Sequence, residues 1–253
     1  PFAADDKVKT RYGIIDRFAS SEFMSLDGEW QIKQHTNVQE ADINETLDRT
    51  IPVPSCVQMH GFDQIQYLNT RYPFPVMLPH IPYENPCWHY RRTFEINKQS
   101  GKRYYINFEG VDSAFYLYIN GKYKGYSQIS HATSEFDITD WVNDGENTVD
   151  VLVLKWCIST YLECQDKFRF SGIYRNVYLL TRPEHHITDY KIDTAFRCND
   201  GVLTFANESM IDIELEIGRQ KKTVFAGQSA VGKSSLLNAI LPLYFSNLLV
   251  QMV

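Results

Sequence analysis

Between residues 28 and 182, short runs of β-branched and aromatic residues recur, separated by turn residues every few positions. That spacing leaves no window long enough for a periodic helix and predicts a chain of antiparallel strands. The plainest case is Ala114-Phe115-Tyr116-Leu117-Tyr118-Ile119, which runs into Asn120-Gly121 and then Lys122-Tyr123-Lys124-Gly125. Asn-Gly tolerates the two successive positive φ angles of a type I′ turn, so these residues predict a two-residue hairpin. Further strands are expected at Trp30 to Gln34, Tyr90 to Ile96, Arg103 to Glu109, Thr148 to Trp156 and Asn176 to Thr181. Thr148 to Leu154 alternates cleanly and predicts one buried face. From Ile51 to Pro86 seven prolines, at 52, 54, 73, 75, 79, 82 and 86, forbid central strands and predict a long ordered loop of the functional kind.

Composition narrows the class. At 43% hydrophobic and 22% charged, the chain can bury a large core, and no apolar run approaches the roughly 20 residues of a membrane span. A net charge of -6 argues against a broad hold on nucleic-acid phosphates. Cysteines at 56, 87, 157, 164 and 198 lack CxxC spacing, which favours a reducing, cytoplasmic setting. His60, His80, His89, His131, His185 and His186 show neither HxH nor HExxH spacing and read as surface or loop residues, so no metal ligands are expected. Most of the 16 Tyr and 15 Phe residues read as core, and Arg169 and Arg175 as partners of nearby carboxylates.

Several separated stretches agree on a family. Ile51-Pro52-Val53-Pro54-Ser55-Cys56-Val57-Gln58-Met59-His60-Gly61, Asn69-Thr70-Arg71-Tyr72-Pro73-Phe74-Pro75 through Asn85-Pro86, and Tyr161-Leu162-Glu163-Cys164-Gln165-Asp166 through Phe170-Ser171-Gly172-Ile173-Tyr174-Arg175-Asn176-Val177 come in that order, with Leu26-Asp27-Gly28-Glu29-Trp30 and Phe108-Glu109-Gly110-Val111-Asp112. Together they resemble the N-terminal sugar-binding domain of the β-galactosidases of glycoside hydrolase family 2. The resemblance implies an all-β fold: a jelly-roll β-sandwich over residues 1–186, followed by a truncated immunoglobulin-like or irregular segment. It also implies that Asn69 and Asp166 contact the galactosyl unit of a β-galactoside, with no catalytic acid or nucleophile in this chain. A carboxylate can accept from two sugar hydroxyls and an amide can both donate and accept, which suits that role; the competing expectation is that both residues cap turns. The resemblance further implies Mg and Na ions in the parent enzyme, a catalytic barrel as partner and a possible homo-oligomer. Here Cys157-Ile158-Ser159 stands where the family carries an aspartate, and no cofactor is expected in this chain. A free-standing carbohydrate-binding module is the alternative.

Residues 187–253 read as an incomplete second sandwich or a foreign tail. Strands are expected at Ile187 to Phe196, Val202 to Phe205, Ile211 to Ile217 and Lys222 to Phe225, then a helix from Ser234. Gly227-Gln228-Ser229-Ala230-Val231-Gly232-Lys233-Ser234 satisfies GxxxxGK[ST], and its surroundings are similar to the phosphate loop of circularly permuted ribosome-assembly GTPases. Gly227, Gly232, Lys233 and Ser234 are therefore candidates for nucleotide binding. The 253 residues leave no room for a (β/α)8 barrel of about 250 residues beside a sandwich, so hydrolysis by this chain alone is not expected.

Overall fold

The computed structural model describes residues 17–68, 72–163, 166–193, 196–199, 202–205, 212–217 and 220–224. The chain divides into two units, Ser21–Thr181 and Pro1–Ser20 with Arg182–Val253. The strands of the first are β1 (Phe23–Ser25), β2 (Gly28–His35), β3 (Arg49–Val53), β4 (Gln66–Leu68), β5 (Cys87–Ile96), β6 (Lys102–Phe108), β7 (Val111–Asp112), β8 (Ala114–Ile119), β9 (Lys122–Ser127), β10 (Ser134–Asp137), β11 (Gly145–Leu154), β12 (Lys167–Arg169), β13 (Gly172–Ile173) and β14 (Val177–Pro183).

They form a six-stranded sheet in the order β3-β2-β5-β11-β8-β9 and a four-stranded sheet in the order β1-β14-β6-β10, with two small ribbons, β12-β4 and β13-β7. The β1-β14, β10-β6, β12-β4 and β13-β7 pairings and all those of the six-stranded sheet are antiparallel. The core joins side chains of both sheets: Trp30, Ile32, Trp88, Tyr90, Leu117, Val149, Val151 and Val153 from the six-stranded one, and Ile106, Phe108, Val177 and Leu179 from the other. This is a β-sandwich.

The details follow from the residues. β8 and β9 pair with Ile119 opposite Lys122, and Asn120 and Gly121 carry φ of 51° and 72°, the signs the I′ turn needs. Pro52 does lie in a strand, but in β3, an edge, where a missing ladder donor is tolerated. β11 departs from expectation: Val149 through Leu154 are all buried, not one face only. Val149, Val151 and Val153 enter the main core, while Leu152 and Leu154 join Cys87, Ala114 and Cys157 beneath Val38, Ala41, Ile43, Tyr116 and Tyr118. A covering segment on the outer face therefore turns an alternating strand into a doubly buried one.

Two histidines also depart from expectation. His89 is fully buried in β5 and His186 is 4% exposed, whereas His60, His80, His131 and His185 are exposed. The second unit contains β15 (Ile187–Asp193), β16 (Phe196–Asn199), β17 (Val202–Phe205), β18 (Asp212–Ile217) and β19 (Gln220–Val224). They make a three-stranded antiparallel sheet, β15-β18-β19, and the hairpin β16-β17. The expected helix from Ser234 lies outside the described residues. Among the described residues no helix is long and apolar enough to cross a membrane.

Candidate functional site

The motif stretches far apart in sequence are bonded into one framework. Asp27 accepts from the Val177 N–H at 2.8 Å and from Asn176 Nδ2 at 2.6 Å, tying the start of β2 to the start of β14. Ser55 N donates to Ile173 O and Val57 N to Ser171 O, while Gln58 Oε1 accepts from Ser171 N at 2.9 Å. The proline-rich loop is held by the segment that leads to Asp166: Asn85 exchanges two 2.8 Å bonds with the backbone of Trp156. Tyr161 Oη donates to His80 O at 2.6 Å, Tyr72 Oη donates to Tyr161 O at 2.9 Å, and Phe74 packs edge-on against both Trp156 and Tyr161. The long loop is thus ordered by aromatic and amide contacts rather than by a ladder.

On this framework sits the β4-β12 ribbon, with Leu68 opposite Lys167, Tyr67 opposite Phe168 and Gln66 opposite Arg169. Asn69 lies outside the described residues; in sequence it follows Leu68, as Asp166 precedes Lys167. Asp166 is exposed, and its Oδ1 accepts from Tyr67 Oη. Tyr67 and Phe168 are 52% and 55% exposed with ring centroids 5.4 Å apart. An exposed carboxylate bordered by two exposed rings offers hydroxyl acceptors beside an apolar surface. Sequence reasoning missed Tyr67 and Phe168 because strand aromatics usually pack inward; their alternation with Gln66 and Arg169 on a two-stranded ribbon was the available signal.

Next to Asp166, Lys167 reaches the other way. Its Nζ lies 3.5 Å from Asp112 Oδ2 and 3.2 Å from His131 Nε2. Tyr174 Oη gives its one proton to Ser130 O at 2.6 Å, so His131 Nδ1, 2.6 Å from the same oxygen, is the donor there and Nε2 is the atom that accepts from Lys167. Burial pushes the Asp112 carboxyl above its ordinary value, against the pull of Lys167 and with the push of Glu163. Glu163 in turn accepts from Ser130 Oγ at 2.7 Å. Gly110 makes this arrangement possible: a Cβ there would lie 2.7 Å from Tyr174 Cζ.

The two arginines do not play the expected part. Arg175 Nη1 donates to His131 O and its guanidinium lies 5.3 Å from the Tyr174 ring centroid, while Arg169 is 8% exposed with Nε and Nη2 bonded to no described residue. A backbone carbonyl and a ring, not a carboxylate, meet Arg175 among the described residues. The cation that the resemblance implies near residue 158 does not fit: Ile158 is 43% exposed and offers no side-chain oxygen.

Comparison with known proteins bears on the same region. Residues 23–183 match the family described as glycosyl hydrolases family 2, sugar binding domain. A β-galactosidase of Staphylococcus xylosus is 45% identical over 217 residues, covering 84% of this chain and 21% of its own. One of Actinobacillus pleuropneumoniae is 42% identical over 211 residues, covering 82% and 20%. The chain thus spans about a fifth of the length of these curated relatives. Among solved structures, a β-glucuronidase of Ruminococcus gnavus superposes with a TM-score of 0.59 at 16% identity over 79% of this chain and 34% of that one. A β-glucuronidase of Bifidobacterium dentium gives 0.58 at 20%, over 78% and 36%; at such identity the likeness is one of fold. Gly227, Gly232, Lys233 and Ser234 lie outside the described residues, and neither the family match, which ends at residue 183, nor these relatives supports the resemblance to a GTPase phosphate loop.

Proposed function

The chain belongs to glycosyl hydrolases family 2 through its sugar binding domain, and on that premise we propose that it is the non-catalytic, N-terminal part of a β-galactosidase whose β4-β12 ribbon lends sugar contacts to an active site completed elsewhere. The observation that carries this reading is Asp166, exposed and oriented by Tyr67 at the ribbon's end, with Phe168 alongside. Asp166 accepts from the hydroxyls of a terminal β-galactoside; Asn69, from the neighbouring strand end, supplies a donor and an acceptor. Neither moves a proton. Retaining hydrolysis needs two carboxylates about 5 Å apart on either side of the glycosidic bond, and this reading assigns them to the catalytic barrel that the domain joins as partner. It invokes no cofactor at the sugar contact, and residues 187–253 are the beginning of the family's next sandwich domain.

The test is a galactose titration of the isotopically labelled chain followed by amide NMR. Expected are shifts confined to the ribbon around Tyr67 and Asp166, with a dissociation constant of about 10 mM or weaker, lost in Asp166→Ala while the remaining spectrum is unchanged. No shift at about 100 mM galactose, or shifts that survive Asp166→Ala, would remove the ribbon from the sugar site. A chromogenic β-galactoside should not be turned over by the same sample.

A further inference from the structure

On the outer face of the six-stranded sheet, away from its main core, five ionisable side chains converge. Lys33 and His35 come from β2, His89 and Arg91 from β5, and Asp150 from β11; the register sets Lys33 opposite His89 and Arg91 opposite Asp150. A sixth, Glu45, arrives from the 41–48 loop that crosses this face. Arg91 fastens that loop by donating from Nη1 to Glu45 O at 2.8 Å and from Nη2 to Ile43 O. The result is a nearly closed site: side-chain exposure is 7% for His35, 12% for Glu45 and zero for His89.

Hydrogen-bond accounting shows what the centre of this site requires. Glu45 Oε1 lies 2.7 Å from His35 Nε2 and 3.1 Å from His89 Nδ1. The other His89 nitrogen, Nε2, lies 2.8 Å from Asp150 Oδ1, which Arg91 Nε holds at 2.6 Å. Carboxylate oxygens only accept, and a neutral imidazole has one N–H to give. When His89 gives it to Asp150, its Nδ1 lone pair points at Glu45 Oε1, where the His35 ring also converges. Something positive must lie among the three. Either extra protons occupy the gap, leaving a buried imidazolium between two carboxylates, or a metal ion does.

We propose that His35 Nε2, Glu45 Oε1 and His89 Nδ1 bind a zinc-class divalent ion that staples the 41–48 loop to the sheet. Two imidazoles and one carboxylate, with water as the fourth ligand, are a zinc donor set, and magnesium and calcium favour oxygen alone. The three ligand atoms lie within 4.8 Å of one another; zinc ligands at about 2.0–2.2 Å in a tetrahedron are about 3.3 Å apart, a rearrangement within reach of side-chain rotation. The outer shell is already in place. Asp150 on the far nitrogen of His89 is the carboxylate–histidine–metal arrangement that fixes tautomer and ring orientation. Lys33 Nζ, 2.6 Å from Glu45 Oε2, occupies the other carboxylate oxygen and leaves Oε1 for single coordination. The ion replaces the protons between Oε1 and the rings, which pass to solvent. The histidine spacing, 35 against 89, hid the site from sequence because only the β2-β5 pairing brings the two strands together.

The full chain, stripped with chelator and checked for fold by near-ultraviolet circular dichroism, is titrated with zinc chloride and, separately, cobalt chloride. Expected are one ion per chain, a zinc dissociation constant of about micromolar or tighter, proton release on binding, and the visible absorption of low-coordinate cobalt. His35→Gln and Glu45→Gln should each weaken zinc by about 100-fold or more, and Asp150→Asn, which keeps all three ligands, by about 10- to 100-fold. His60→Gln, at an exposed histidine, should change nothing. A folded wild-type chain that takes up no stoichiometric zinc, or uptake that survives His35→Gln, overturns the proposal and leaves protons as the occupants. The wild-type stoichiometry decides this even where a variant fails to fold.

Discussion

At Gly110 the phenolic end of Tyr174 leaves no room for a side chain, and the consequence can be followed residue by residue. A Cβ would come within 2.7 Å of Tyr174 Cζ and 2.9 Å of Arg175 Cδ. The ring cannot retreat without breaking its bonds to Ser130 O and His131. Gly110→Ala should therefore cost about 1–3 kcal/mol in urea unfolding; a change below about 0.5 kcal/mol would show that the ring moves freely. Asp137 shows the electrostatic side. Partial burial raises its carboxyl, but hydrogen bonds from Thr139 and Arg103 outweigh burial and hold it below its ordinary value. The folded state then binds fewer protons than the unfolded chain. Its contribution is whole above the unfolded pKa of about 3.9 and is lost as pH falls through the lower folded value. With about a third of each partner exposed, the contribution should be at most about 1 kcal/mol. Asp137→Asn should lower stability at pH 7 by that amount and flatten its decline below pH about 4; an unchanged decline would assign it to other carboxylates.

At the scale of elements, the Asn120-Gly121 turn was legible because the two conformations it needs are ones few residue pairs accept. What sequence could not show is how much else Asn120 holds. Its side chain donates at 2.9 Å to Trp141 O and to Asn147 Oδ1 and accepts from Thr148 N, while Asn147, 1% exposed, bonds Asn143 and Gly145. Asn120→Ala both strains φ and leaves buried partners unpaired, and should cost about 2–4 kcal/mol. Asn120→Gly, which restores φ alone, should recover part of that. Equal losses in the two variants would mean that φ is irrelevant here. The same contrast explains the rest. Ala114 to Ile119 was read to the residue because pattern and propensity agreed, whereas β5 begins at Cys87 rather than Tyr90. His89 does not look like a buried strand residue until Asp150 and Glu45 are beside it. Likewise the motif singles out Asp166 as a proposed sugar contact, but its neighbours Tyr67 and Phe168 become visible only with the ribbon's register.

For the whole molecule, the question is where cooperativity resides. Every residue of the main core, from Leu26 to Leu179, lies within Ser21–Thr181, and so do both principal sheets except the last two residues of β14, Arg182 and Pro183. A unit of roughly 150 residues buries close to 70% of the surface its unfolded chain exposes, enough for independent stability. The motif bonds of Asp27 to Asn176 and Val177, and of Gln58 to Ser171, close this unit on itself from its first strand to its last. A polypeptide of residues 21–186 should therefore fold alone and unfold in a single transition. Trp30 and Trp88, each at most 1% exposed, supply the probe: their near-ultraviolet dichroism should vanish at the urea midpoint at which far-ultraviolet dichroism is lost, because core packing and sheet pairing depend on the same residues. Non-coincident midpoints, or a shortened chain without fixed tryptophan signals, would mean that this sandwich depends on residues beyond it for its packing.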